Sequence, residues 1–165
     1  MKWGYYMDSE VEELLGLKPK LEVKKQWFCD YCGEIIESEK DGMLEWDSFI
    51  SEEGREFTAE NFRIVHHRAV KGCRPKHADD HLSDGHLHWY TGSHGLSELL
   101  SFPFTHKLDT LKFFKIIRRL HVDYYEEAIQ YFPQALADGE YNIDPYGIGD
   151  ISETNLTWLI RKYGK

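Results

Sequence analysis

Apolar residues come in short extended runs as far as His67 and at helical spacing beyond Ser93, so the chain divides by period before any motif is considered. Near the start, Val11, Leu14 and Leu15 repeat at helical intervals behind a cap at Asp8 or Ser9. Glu10, Glu12 and Glu13 suit the positive end of the helix dipole, which predicts a short helix through Leu17, ended by Pro19. Residues 21–23 and 26–28 read as extended, leading into a turn at 29–33, with 34–37 leading out of it. Asp41-Gly42 signals a tight turn into a strand over 43–50, in which Leu44, Trp46 and Ile50 alternate with polar positions and pair with the exit of the first turn. Residues 51–61 are polar, carry Gly54 and read as a loop, and 62–67 as a further strand.

The helical half begins with a short turn capped by Ser93 or Ser97 and broken at Pro103. Thr105 is placed to cap the next helix, where Leu108, Leu111, Phe114, Ile117 and Leu120 recur and Lys112, Lys115 and Arg119 take another face. Asp123 and Glu126 have capping-box spacing for a helix through Phe132, with a restart at Pro133 and a stop at Asp138-Gly139. Residues 147–150 read as a loop. Ser152 caps a last helix bearing Leu156, Leu159, Ile160 and Tyr163, with Gly164 as its stop. Between the halves, residues 69–95 hold five histidines and few apolar side chains, and read as a long, partly irregular connection. The expectation is an α+β fold, a small antiparallel sheet followed by a helical C-terminal half, with 1–95 and 96–165 as parts of one continuous domain.

At 165 residues and 41% hydrophobic the chain can bury an ordinary core. No stretch nears the ~18 apolar residues of a membrane span, and the first residues lack the apolar core of a signal peptide. A soluble cytoplasmic protein with no membrane partner is expected. The net charge of −9 disfavours loose attachment to nucleic acid. It is unevenly spread: residues 63–77 carry five cations and no acid, and 122–153 carry eight acids and no Lys or Arg. The simplest reading lays one block against the other within the fold.

The chemistry concentrates in Phe28-Cys29-Asp30-Tyr31-Cys32-Gly33 and in the only other cysteine, Cys73. A C-x2-C hairpin turns both thiolates to one side, and Gly33 supplies the left-handed conformation that lets the chain leave the turn. An odd number of thiols in a reducing compartment favours metal over disulfides. A thioredoxin-like role would want the pair at the start of a helix, and Ile35-Ile36 continue as a hairpin. The fourth ligand is His66, His67 or His77. In a strand His66 shares a face with Phe62 and Ile64 while His67 faces away, which favours His66, and Cys73-x3-His77 also has ligand spacing. The expected centre is thus one structural Zn2+ on Cys29, Cys32, His66 and Cys73.

Residues 28–36 and 62–73 resemble zinc-ribbon and zinc-knuckle modules of the kind found in bacterial proteins. The resemblance implies metal binding by Cys29, Cys32, one of the histidines and Cys73, and no activity; where a zinc ribbon has a second C-x2-C knuckle, this chain has a widely spaced His and Cys. The functional expectation is a non-enzymatic interaction or adaptor module for a protein partner. The alternative is a metal-dependent nuclease or other hydrolase using the His/Asp-rich segment 77–88. Nucleic-acid contact by Lys112, Lys115, Arg118 and Arg119 is the weaker reading, since such a face is more often solvated.

Overall fold

The computed structural model describes residues 17–51, 53–54, 56–73, 81–140 and 151–165, so the expected first helix and the loop at 147–150 lie outside the described residues. The fold is α+β, with the sheets N-terminal and most helices C-terminal. Two short strands, β1 (Trp27–Phe28) and β2 (Ile35–Ile36), form an antiparallel pair. A second sheet has the order β5-β3-β4-β6, built from β3 (Gly42–Ile50), β4 (Phe57–His66), β5 (Leu82–His86) and β6 (His106–Leu108). A 3-10 turn over Leu87–Trp89 leads to helix α1 (Gly92–Thr105), and α2 (Thr110–His121) follows β6. The short helices α3 (Tyr125–Ala128) and α4 (Phe132–Ala137) and the final α5 (Glu153–Tyr163) complete the described chain. One compact unit spans Leu21–Glu126; the other takes the described residues before Leu21 and after Glu126.

β3 is the axis of the larger unit. It is flanked on both sides, by β4 and β5, and Gly42, Met43, Leu44, Glu45 and Trp46 are all buried. The β3–β4 register runs from Gly42↔His66 to Glu45↔Arg63, slips, and resumes at Asp47↔Glu60. At the slip Asn61 takes a positive φ of 52°, which a short polar side chain tolerates better than most. Trp46 there stacks on Phe62 at 5.9 Å and meets Phe102 and Tyr90 edge-on. Phe102 and Phe113 carry this aromatic core onto α1 and α2.

Five expected elements differ. The strand after Asp41-Gly42 pairs with β4 and β5, not with the exit of the C-x2-C turn, because β4 supplies ten residues of partner and β2 only two. β4 begins at Phe57 inside the expected loop, which shrinks to the turn around Gly54 (φ 66°). Residues 21–26 are a turn with Lys24 at φ 56°, closed by Lys25 and Gln26 N–H on the Glu22 carbonyl. The His-rich connection contains a real strand, β5. Finally α1 runs through Pro103, whose missing N–H falls in the last turn of the helix, and Thr105 ends α1; Asp109 caps α2 by accepting from Lys112 N–H.

In α2 the buried side chains are Phe113, Ile116, Arg119 and Leu120, while Leu111 and Phe114 are exposed. A series spaced strictly by three residues falls back about 60° around a helix at each step, so Leu111 and Phe114 wind off the face that Ile116 and Leu120 share. Arg119, expected on the solvated side, is inside.

Several described residues of the two charge blocks find partners near at hand. Arg63 pairs with Asp47, Arg68 with Asp84 and Lys71 with Glu34; Asp123 pairs with Lys24, Glu126 with Arg119 and Glu140 with Lys162. Ser152 accepts from Asn155 N–H and Gly164 closes α5, as the sequence pattern predicts. Among the described residues no helix is long and apolar enough to cross a membrane.

The tightest backbone approach is at Gly95, where a Cβ would lie 2.1 Å from the Tyr90 carbonyl carbon. Both groups are main chain, so neither can swing aside. Gly95→Ala is expected to cost about 1–3 kcal/mol, read as a lowered calorimetric melting temperature, whereas Gly72→Ala, with nothing within 4 Å, leaves the melt unchanged. Equal melting of the two variants would contradict this packing.

Candidate metal centre

The turn between β1 and β2 is built locally. Cys29 N–H donates to the Glu34 carbonyl at 2.9 Å and Gly33 N–H to the Cys29 carbonyl at 2.8 Å, with Gly33 at φ 73°. This folds Cys29 and Cys32 to one side. Asp30 then fastens the turn to the outer edge of β4: its N–H donates to the Ile64 carbonyl at 2.8 Å and its Oδ2 accepts from Ile64 N–H at 2.7 Å. Since β6 pairs only with residues 57–59 of β4, the turn covers backbone groups farther along the same strand.

That docking sets the turn beside the last residue of β4. His66 Nδ1 lies 3.5 Å from Cys32 Sγ and 3.7 Å from Cys73 Sγ, and the ligand atoms of Cys29, Cys32, His66 and Cys73 all fall within 4.8 Å of one another. Zinc bonds of about 2.3 Å to sulfur and 2.0–2.1 Å to nitrogen, at tetrahedral angles, require S···N edges of roughly 3.5 Å and S···S edges of roughly 3.8 Å. The donor set therefore fits a tetrahedral ion after its widest separations close by up to about 1 Å.

The imidazole is oriented for this. His66 Nε2 lies 3.2 Å from the Ile35 carbonyl, to which it donates when it carries the proton. Nδ1 is then left with its lone pair toward the sulfurs, the usual outer hydrogen bond of a metal-ligating histidine. Cys29, His66 and Cys73 are buried and Cys32 lies at the surface. Burial raises the Cys32 thiol, but hydrogen bonds from Glu34 N–H and from the Cys29 and Cys73 thiols, with the charge of Lys71, outweigh it and hold the group below its ordinary range. Cys73 is pushed up to about 12, first by burial and then by its thiol neighbours. Three thiolates around a dication leave one net negative charge, and Lys71, held by Glu34, sits where it offsets that charge.

Of the other candidates, His67 points elsewhere: its ring stacks on His86 at 5.2 Å and its Nδ1 accepts from Ala69 N–H. His77, Asp79 and Asp80 lie outside the described residues. In the remainder of the His/Asp-rich segment, His81 packs on Phe49, Asp84 is paired with Arg68, and His86 and His88 lie against Trp89. The Cys3His set is the one metal-competent group among the described residues.

Sequence reading passed over Tyr31 and Glu45. Tyr31, between the two turn cysteines, donates to Glu45 Oε2 at 3.3 Å. Burial raises the carboxyl of Glu45 above its ordinary value, against the opposing charge of Arg63. Comparison with family models, with curated proteins and with solved structures gives no match to this chain.

Proposed function

We propose that the chain is a zinc-stapled, non-enzymatic interaction module whose metal is structural. The observation that carries this reading is the donor set itself, three cysteine sulfurs and one oriented imidazole gathered from the turn, the end of β4 and the segment after it. Soft thiolates with one imidazole select zinc over hard cations. Four protein ligands fill a tetrahedral shell, so the ion supplies folding energy and offers no open position to a substrate. The resemblance of the turn to zinc-ribbon lobes supports the same conclusion, and free thiols suit a reducing, cytoplasmic setting.

A protein partner is favoured over nucleic acid. Several large apolar side chains stay exposed, among them Ile50 and Phe57, cross-strand neighbours at the end of the β3–β4 hairpin, and Leu111 and Phe114 on α2. By contrast, Arg63, Arg68 and Lys71 are already paired and Arg119 is buried. Metal analysis of the purified protein is expected to give one zinc per chain, and cobalt substitution a tetrahedral thiolate spectrum. Protein that folds and melts identically with and without metal would refute the reading.

A further inference from the structure

The four residues of the metal centre are placed unequally towards solvent. Cys32 lies at the surface, just before the left-handed residue Gly33, whereas Cys29, His66 and Cys73 are buried. A reagent arriving from water therefore meets the Cys32 sulfur first. Two more sulfurs stand behind it: all the ligand atoms lie within 4.8 Å of one another, and Cys29 belongs to the same short turn. An accessible sulfur with a second one close behind it is the arrangement that carries a first oxidation on to a disulfide. In a zinc centre these cysteines are held as thiolates, the form that attacks a peroxide.

The turn and the segment after β4 depend on the ion to different degrees. The turn has other anchors. Asp30 exchanges two hydrogen bonds with Ile64, Arg119 donates to both Asp30 oxygens and to the Phe28 carbonyl, and Trp27 donates to the Arg119 carbonyl. Residues 70–73 have fewer. Val70 and Lys71 N–H return to the His67 carbonyl and Cys73 N–H to that of Lys71, so these bonds stay local. Among the described residues, the bonds that carry this stretch to the turn and to β4 are the surface ion pair of Lys71 with Glu34 and the contacts of the Cys73 sulfur within the cluster, His66 Nδ1 at 3.7 Å among them.

On the reading of this centre as structural zinc, we propose that the cluster is a peroxide-responsive switch, in which a Cys29–Cys32 disulfide displaces the ion and releases residues 70–73 from the turn. The Cys32 thiolate attacks one oxygen of a hydroperoxide: an S–O bond forms, the O–O bond breaks, and the departing oxygen leaves as hydroxide or alkoxide and takes a proton from water. The Cys29 thiolate then attacks the Cys32 sulfur; the S–S bond forms, the S–O bond breaks and hydroxide leaves. Two electrons pass from the two sulfurs to the peroxide, and the zinc stays divalent. Of the four donors only His66 and Cys73 remain, half of a tetrahedral shell. Cys29 is the resolving thiol because it shares the turn with Cys32, so the bond asks for no movement of one segment past another. The turn keeps its anchors on Ile64 and Arg119, so the sheet persists, and a dithiol together with zinc restores the staple.

The test uses the full-length, zinc-loaded protein and hydrogen peroxide from one equivalent upward. Zinc release is read with a colorimetric chelator and the disulfide by non-reducing peptide mass spectrometry. One zinc is expected to leave for each Cys29–Cys32 disulfide formed, and dithiothreitol with added zinc reverses both. Dimedone, present during a brief exposure, is expected to label Cys32 at least tenfold more than Cys29 or Cys73. Amide hydrogen exchange is expected to quicken at least tenfold over residues 70–73 on oxidation and to stay unchanged at Ile64, whose N–H is held by Asp30. Protein that carries no zinc as purified removes the structural-zinc reading, and the switch with it. Protein that carries zinc but keeps it through a tenfold excess of peroxide, is labelled first at Cys29 or Cys73, or joins Cys32 to Cys73 leaves that reading standing and overturns the switch.

Discussion

Cys73→Ser is expected to lose zinc and to lower the melting temperature by roughly 10–20 °C, the largest effect foreseen for a single substitution. Cys73 is the last of the four residues along the chain, and in the proposed centre its bond to the ion would close the path from the turn at Cys29 through both long strands. Without it the ion keeps two sulfurs and one nitrogen, and apparent zinc affinity, about 10–16 kcal/mol in small zinc-dependent folds, falls steeply. Here the sheet also has its own aromatic core around Trp46, Phe62, Phe102 and Phe113, so part of the fold survives demetallation. A loss of about 5 kcal/mol, at 2–4 °C per kcal/mol for a chain of this size, gives the stated shift. Metal analysis and a thermal melt by circular dichroism read both quantities. The wild-type protein stripped with a chelator should melt with the variant, and adding zinc back should separate them. A variant that melts like the metal-loaded wild type would mean that the cluster staples nothing.

The parts of this architecture that were legible in the sequence are those whose cause is local. Cys29, Cys32 and Gly33 announce a turn by themselves, Asp41-Gly42 starts a strand, and Ser152 and Gly164 bracket a helix. Strand alternation favoured His66 over His67 without deciding between them, because Phe62 and Ile64 share the face of His66 while Val65, equally buried, lies on the other. What was not legible depends on partners far away in the chain. β5 reads as polar loop because Leu82-Ser83-Asp84-Gly85-His86 has almost nothing to bury; it becomes a strand because β3 offers an edge and Gly85 leaves room for the Tyr90 ring, whose hydroxyl would lie 2.4 Å from a Cβ. The first part of β4 failed for the same reason, since Phe57 to Asn61 looks polar until β6 pairs beside it. Likewise, no spacing rule places a buried arginine in α2, or sets Glu45 inside the sheet.

That arginine carries the second large expectation. Arg119 is 5% exposed and makes a hydrogen bond with every nitrogen of its guanidinium. Nε and Nη2 donate to the two Glu126 oxygens at 2.6 and 2.9 Å, Nη1 to both Asp30 oxygens at 3.0 and 2.7 Å, and Nη2 also to the Phe28 carbonyl at 3.1 Å. One side chain thus ties α2 to the metal turn on one side and to the start of α3 on the other. Trp27 Nε1 donates to the Arg119 carbonyl at 3.2 Å and adds to the same joint. Its electrostatic logic is that of a buried ion pair: the intact set need not be more stable than an apolar replacement, but removing one member leaves an uncompensated charge. Arg119→Met should therefore cost about 3–5 kcal/mol, because Glu126, itself buried, keeps among the described residues only the Phe28 N–H as donor. Adding Glu126→Gln to that variant removes the stranded charge and is expected to recover about half of the loss, a non-additivity that marks direct contact. The measurement is a double-mutant cycle by chemical denaturation, with zinc content followed in parallel, since Asp30 also holds the turn against Ile64. If Arg119→Met unfolds at the wild-type denaturant midpoint, or if the two substitutions simply add, the joint between α2 and the metal turn does not carry the load assigned to it.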